Sequence, residues 1–365
     1  MRFSIDKAQF FESAQTAHRF SSDKINTPAA LQGIFILLDK TFMHLYATDL
    51  NSFCHITLPL IVPNRVEFFT EPKKLMEFLQ ILPAGAIDVD IQKAGLQIKQ
   101  GKTKGNFPLI VAEDFPFPPK LKEKEQKIDK EFLLGKLSCL LFASSADESR
   151  PVLTGVNFVA TEGELTLVAT DGFRLSVVKE KRKEAFSSMI VPSEFLREVQ
   201  KQAKDQEEIG FAYSETEQIV RFVVGNKEFF SRLIDGEFPP YERVIPEDKK
   251  TTVILNRDEL LRNTKIISIF ARDYSNVIMY DFSKKGLILS PKKEANAENS
   301  TTQDIEIEGD PVRVAFNYRY VIDFLNNVSA NEVVIELLHS DTPALFKAKG
   351  DKAFFHIIMP VRIQE

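Results

Sequence analysis

Two periodicities alternate along the chain. Short runs such as LTLVAT (Leu165–Thr170) and RLSVV (Arg174–Val178), with KGLILS in the last third, alternate apolar and polar positions as strands with one buried face do. Longer windows space apolar residues three and four apart: Leu75, Phe78, Leu79 and Leu82; Phe195, Val199 and Ala203; Val321, Phe324, Leu325 and Val328. That spacing predicts amphipathic helices, and the helical windows are 6–20, 71–81, 129–142, 192–206, 256–272 and 316–328.

The order of these elements repeats. FSIDKAQFFESAQ from Phe3, QKIDKEFLLGKLS from Gln126 and VILNRDELLRNTK from Val253 each join a short apolar strand to a polar residue and then a helical pattern. The polar residues Asp6, Asp129 and Asn256 stand where a side-chain oxygen accepts from the free amides of a first helical turn. A second set is TEPKKLMEFLQIL from Thr70, VPSEFLREVQKQA from Val191 and FNYRYVIDFLNNV from Phe316. ATD occurs at 47–49 and 169–171, and the Pro-rich ends EDFPFPPK and DGEFPPYERVIP begin at Glu113 and Asp235. All share an offset of about 120–127 residues, which reads as three tandem modules: 1–120, 121–246 and 247–365. The predicted fold class is α+β, each module packing two helices on antiparallel sheet of about eight strands.

Composition fits this plan. A chain of 365 residues exceeds one compact core, and 44% hydrophobic with 27% charged residues is ordinary for a folded soluble protein. The net charge of −5 divides into +1, −4 and −2 over the modules, whereas the six helical windows together carry +2. Arg197, Lys201 and Lys204 share one helix face, Arg262 and Lys265 are neighbours on another, and Lys73 and Lys74 open a third. Such charges read either as solvated faces or as a diffuse cationic surface that touches phosphates without reading bases. Charge alone leaves both open. Cys54 and Cys139 have no metal or redox spacing, and no two of the five histidines stand at i, i+4, so no metal or cofactor is expected. No stretch approaches the ~20 apolar residues of a membrane span, so the chain reads as soluble and intracellular.

Leu165 to Val178, LTLVATDGFRLSVV, is the most individual stretch. It predicts a hairpin around an Asp171–Gly172 turn, the glycine supplying positive φ. Phe173 and Leu175 then alternate on one face, raw material for an apolar pocket that takes a peptide anchor. An enzymatic reading, a metal-free hydrolase, would pair Asp171 with Arg174. No nucleophile–base pair, phosphate-binding loop or metal cluster accompanies them, so catalysis is not the expectation.

The chain closely resembles the DNA polymerase III β subunits of bacteria, the replicative sliding clamps. The likeness runs the full length and rests on RPVLTGVNF (Arg150–Phe158), LVATDGFRLSVV (Leu167–Val178), DGEFPPYERVIP (Asp235–Pro246), FNYRYVIDFL (Phe316–Leu325) and IIMPVRI (Ile357–Ile363). It implies a head-to-tail homodimer closing into a ring of six modules. The ring encircles duplex DNA without sequence preference, slides, and makes the polymerase processive, with no catalysis and no cofactor of its own. It would act in the cytoplasm, at the nucleoid. The alternative is a clamp-fold interaction scaffold that does not encircle DNA.

The resemblance also implies a pocket for short linear peptides from the replicative polymerase, the clamp loader, repair polymerases, and mismatch-repair and ligase proteins. Its wall would be Leu153, Thr170, Gly172, Phe173, Arg174, Leu175, Pro239, Val244, Tyr320, Pro343, Ile357, Met359, Pro360, Val361 and Arg362. Phe173 stands where the family often has histidine, and Val361 replaces a familiar methionine. Gln364 and Glu365 extend past the usual terminal hydrophobe, and the loop Asp147–Ser149, at a DNA-contact position, is acidic. DNA-facing candidates are therefore Lys24, Lys73, Lys74, Arg197, Lys201, Lys204, Arg262 and Lys265. The dimer contact would set Phe107 and Leu109 against Ile269 and Tyr274.

Overall fold

The structure is a computed structural model that describes every residue except 23, 25, 93–94, 112–113, 162, 183–186, 273–275, 293–298 and 363–365. The first repeat contains β1 (Arg2–Asp6), α1 (Lys7–His18), a short α2 (Ala29–Gln32), β2 (Ile34–Leu38), β3 (Phe42–Thr48), β4 (Ser52–Pro59) and β5 (Val66–Thr70). After them come α3 (Pro72–Ile81), β6 (Ala86–Gln92), β7 (Gly95–Gln100), β8 (Thr103–Phe107) and β9 (Leu109–Ile110). The middle repeat has β10 (Gln126–Asp129), α4 (Ser138–Leu141), β11 (Gly155–Thr161), β12 (Glu164–Thr170), β13 (Arg174–Lys181) and β14 (Met189–Pro192). It ends with α5 (Ser193–Ala203), β15 (Glu208–Ser214), β16 (Ile219–Val224) and β17 (Lys227–Arg232). The last has β18 (Thr251–Asn256), α6 (Arg257–Ala271), β19 (Val277–Ser283), β20 (Gly286–Pro291), β21 (Thr301–Gln303) and β22 (Glu306–Gly309). It closes with β23 (Val312–Asn317), α7 (Tyr318–Asn327), β24 (Glu332–Leu337), β25 (Ala344–Ala348) and β26 (Phe354–Ile358).

The helices form for local reasons. Asp6 accepts from the Gln9 amide at 3.0 Å, Asn256 from Glu259 at 2.9 Å and Asn317 from Arg319 at 3.1 Å, each satisfying an otherwise free first-turn donor. Along α5, Phe195, Leu196, Val199 and Ala203 are all buried, each large side chain contributing about 1.5–3 kcal/mol. The window at 129–142 differs from the single regular helix its pattern predicts. Phe132–Lys136 widens into a π turn, with the Leu137 amide donating to the Phe132 carbonyl at 3.2 Å, and only then does α4 begin.

Packing divides the chain into two compact units. Unit one comprises residues 1–130 with 198–233, and unit two residues 131–197 with 234–365. In unit one the sheets run β1-β6-β7-β8 and β10-β15-β16-β17-β4-β3-β2-β5-β9. Those of unit two run β14-β11-β12-β13-β26-β25-β24-β18-β22 and β21-β20-β19-β23. Every strand pair is antiparallel among the described residues, as an α+β plan with hairpin connections requires.

One pairing rule runs through both units. Each repeat uses its first strand and last three strands for one sheet, and its second to fifth strands for another, ignoring β9 and β22. The last strand of the middle repeat, β17, then zips onto the fourth strand of the first, β4, from Lys227↔Ile56 to Ser231↔Ser52. Likewise the last strand of the third repeat, β26, zips onto the fourth of the middle one, β13, from Arg174↔Ile358 to Val178↔Phe354. Two strands in this series end their sheets: β8, the last strand of the first repeat, and β21, the fourth strand of the third.

Candidate functional site

In unit two the hairpin β12–β13 turns through Asp171–Phe173, and Gly172 takes φ +92°, a backbone state that disfavours any side chain. Asp171 builds the turn. Its Oδ1 accepts from the amides of Phe173 (2.9 Å) and Arg174 (3.0 Å), while Thr170 Oγ1 accepts from Gly172 and donates to the Arg174 carbonyl. Arg174 is nearly buried. Its Nε donates to Asp171 Oδ2 at 3.0 Å and its Nη1 to Asp323 Oδ2 at 2.6 Å, and its guanidinium lies 4.6 Å from the Tyr320 ring centre. A buried guanidinium with two carboxylates and an aromatic face is fully engaged, so Asp171 and Arg174 are a turn clamp.

From this clamp β13 runs along β26 with Leu175 opposite Ile357, and the Met359 amide donates to the Phe173 carbonyl at 2.9 Å. The segment after β17 returns over the same strands. Phe238, Tyr241 and Ile245 pack on a core of Val168, Leu175, Val177, Leu345 and Ile357. Between the segment and the strands lies a cleft of about 270 Å³ lined by Arg150, Leu153, Thr170, Gly172, Arg174, Leu175, Pro239, Pro240, Tyr241, Val244, Ile357 and Met359. Its wall is mostly apolar, with Arg150, Thr170, Arg174 and Tyr241 as its polar residues. Burial, with Glu242 adding negative charge, pushes the Tyr241 phenol up to about 12, so it remains a donor at neutral pH. The cleft suits an apolar side chain with a few directed hydrogen bonds.

Nine of the fifteen residues assigned to a peptide pocket meet around this cleft, and six do not line it. Phe173 is on the turn, 58% exposed, and is not among the residues that line the cleft. Tyr320 stacks on Arg174 instead. Val361 leaves β26 and packs on Val277, Met279 and Ala315, its amide donating to the Ala315 carbonyl at 2.8 Å. Pro360 and Arg362 flank Val361 on that same departing segment, and Pro343 is half-buried just before β25. Arg150, Pro240 and Tyr241 are wall residues that motif reading missed, although Pro240 and Tyr241 adjoin Pro239 in the same FPPY run.

Beneath the cleft His356 is fully buried. Its Nδ1 is 2.8 Å from Ser176 Oγ, and its ring stacks on Phe324 at 5.5 Å. Burial, reinforced by the Arg174 charge, holds its pKa well below the ordinary value. The unfolded chain takes up a proton on this residue below about pH 6.5 while the folded chain resists it. The stability that neutral His356 contributes is therefore complete above that pH and lost as pH falls. Thermal unfolding should show a Tm that drops from about pH 7 to about pH 5, and a smaller drop in His356→Asn. Equal drops would remove His356 as the cause.

The cationic candidates differ in freedom. In unit one, Lys24, Lys73, Lys74, Lys201 and Lys204 are exposed, Lys201 Nζ lying 3.5 Å from Glu198. In unit two, Arg262 is exposed beside Glu259 at 3.8 Å, and Lys265 is exposed. Arg197 is engaged by Glu194, the Leu141 carbonyl and Ser144 Oγ. Asp147 caps its own loop through the Ser149 amide at 3.0 Å, and Arg150 Nε lies 3.6 Å from it. Of the dimer-contact candidates, Phe107 is buried against Phe78 at 5.4 Å and Leu109 is half-buried. Ile269 is 52% exposed next to exposed Ile266 and Phe270, and Tyr274 lies outside the described residues. Among the described residues no three His, Cys, Asp or Glu form a metal-holding group, and no helix is long and apolar enough to cross a membrane.

Comparison with known proteins is consistent along the whole chain. Family models of the DNA polymerase III beta subunit match in order: the N-terminal domain at residues 1–119, the central domain at 127–240 and the C-terminal domain at 242–362. The beta sliding clamp of Bacillus subtilis is 26% identical over 379 residues, covering 99% of this chain and all of the relative. That of Halalkalibacterium halodurans is 28% identical over 382 residues with the same coverage. The crystal structure of the DNA polymerase sliding clamp from Bacillus subtilis superposes with a TM-score of 0.91 at 25% identity, over the full length of both chains.

Proposed function

The chain belongs to the DNA polymerase III beta subunit family and has a DNA sliding clamp function; we propose that it performs it as a closed homodimeric ring that confers processivity without chemistry of its own. The observation that carries the ring is the pairing rule. Fourth strands take up last strands of the following repeat at both internal joins, which leaves β21 and β8 as the two unused partners. Pairing β21 of one copy with β8 of another obeys the same rule, and doing it twice closes two chains head to tail. Charge supports the match: Lys102 and Lys104 mark β8, while Asp304 and Glu306 follow β21. The exposed Ile266, Ile269 and Phe270 lie on α6, which packs beside β21, and supply apolar area to that contact. Modules 1–120, 121–246 and 247–365 then give a ring of six.

Lys24, Lys73, Lys74, Lys201, Lys204, Arg262 and Lys265 are the cations assigned to the duplex. Exposed lysines that make few fixed hydrogen bonds neutralise phosphates without fixing a register, as sliding requires. The cleft of unit two takes short linear peptides from the replicative polymerase, the clamp loader, repair polymerases, and mismatch-repair and ligase proteins. The protein works in the cytoplasm, on the nucleoid DNA. Sedimentation of the full chain tests closure first: a single species of twice 41.5 kDa is expected, and a strictly monomeric protein at micromolar concentration would rule the ring out.

A further inference from the structure

The join between the first two repeats, inside unit one, is built on the same strand lattice as the peptide cleft of unit two but with different side chains. In unit two Val168 faces Val177, Val177 faces Phe355 and Leu345 faces Ile357 across successive strands. At the matching positions of unit one Tyr46 faces His55, His55 faces Glu228 and Arg221 faces Phe230. The FPPY run that returns over the strands in unit two is FPPK, Phe117–Lys120, in unit one. Tyr46, His55, Arg221 and Glu228 therefore stand where unit two has Val168, Val177, Leu345 and Phe355, and Lys120 where it has Tyr241.

This exchange opens the join. In unit two the apolar floor is buried, and Phe238 and Tyr241 pack on it. In unit one the floor pairs with itself: His55 Nδ1 lies 2.8 Å from Glu228 Oε2, and Arg221 Nη1 3.5 Å from Glu228 Oε1. Glu125, outside the cleft, accepts from Arg221 Nη2 at 2.9 Å. Closing a dry segment over such groups would cost them their hydration. A cleft of about 440 Å³ remains, lined by Tyr46, His55, Arg221, Glu228, Phe117 and Lys120 with the neighbouring prolines. Unit two shows that this backbone closes over Val, Leu and Phe, so the fold itself does not call for the polar set.

Two features define what fits. Tyr46 stacks flat on His55 at 4.3 Å and Phe117 meets Tyr46 edge-on at 5.1 Å, yet Phe117 is 53% exposed and leaves an aromatic face open. Among the charges of the lining, Glu228 is matched by Arg221. Lys120 is exposed and makes no hydrogen bond or ion pair among the described residues, so it is the unmatched charge. We infer that this cleft is a second docking site, for short acidic peptide segments that seat one aromatic side chain against Phe117 and Tyr46 and set a carboxylate on Lys120. Edge-to-face or offset ring contact and a charge-assisted hydrogen bond supply the recognition. The inference takes its ligand class from the peptide reading of the unit-two cleft, but its residues are separate, so each site can fail alone.

Photo-crosslinking of the full chain tests it. The probe is a pentapeptide of glutamates around a central benzoylphenylalanine, with the labelled residues located by mass spectrometry. Wild type and Val244→Asp, which closes the unit-two cleft, should both be labelled within Phe117–Leu121 or on the facing strands. Phe117→Ala and Lys120→Glu, both at exposed side chains, should each weaken labelling there about 10-fold without changing the circular dichroism. A lysine-flanked version of the probe should label Lys120→Glu better than wild type. Labelling lost in Val244→Asp, labelling that ignores both unit-one variants, or an unlabelled wild type would overturn the site.

Discussion

A chain carrying Val244→Asp folds and dimerises as the wild type does but binds a partner peptide at least about 100-fold more weakly, as read by fluorescence anisotropy. Val244 closes the short turn Tyr241–Val244 and is 39% exposed, so the substitution puts no charge into a packed core. In the complex the same carboxylate is enclosed with Leu175, Ile357, Met359 and the peptide's apolar anchor. Burying a carboxylate that is neither paired nor hydrogen-bonded costs more than the roughly 2.7 kcal/mol that a 100-fold loss requires. Arg174 gives no relief, since Asp171 and Asp323 already hold it. The companion variant Phe173→Ala separates the wall from the turn tip: a ring that does not line the cleft should cost less than Val244→Asp. Unchanged binding in Val244→Asp would place the peptide site elsewhere.

Ile269→Asp should convert the dimer to monomers at micromolar concentration with the far-ultraviolet circular dichroism unchanged. Ile269 is 52% exposed in the isolated chain, with Ile266 at 43% and Phe270 at 37% beside it, so the helix loses little internal packing. An apolar patch next to an open strand edge is costly in water and is covered when a second chain adds its strand. A charge at its centre loses that apolar area and must be desolvated without a partner. A variant that remains dimeric at nanomolar concentration would show that closure does not use this end of α6.

Where structure follows from neighbours in sequence, the chain could be read directly. The caps at Asp6 and Asn256 and the buried stripe of α5 are local, and they repeat at a fixed offset, so the three-fold α+β plan was visible before any contact was known. Sheet continuity was not visible. Phe229 pairs with Cys54, and Leu175 with Ile357, over separations that no periodicity encodes. The pocket candidates that lie off this cleft have specific local settings. Alternation carried through Asp171–Phe173 puts Phe173 beside Leu175, but the backbone turns there and strand parity is lost. Val361 follows Met359 by two, yet the chain has left β26 and bonds to Ala315.

The central claim is that the protein holds DNA by enclosing it, and topology tests that most directly. The clamp, loaded onto a nicked circular duplex and separated from free protein by gel filtration, should co-elute with the circle at moderate salt. Cutting the circle once with a restriction enzyme should release it, because a ring slides off an end. Retention that is equal on circular and linear DNA would contradict enclosure and leave a clamp-fold scaffold that binds DNA by contact alone.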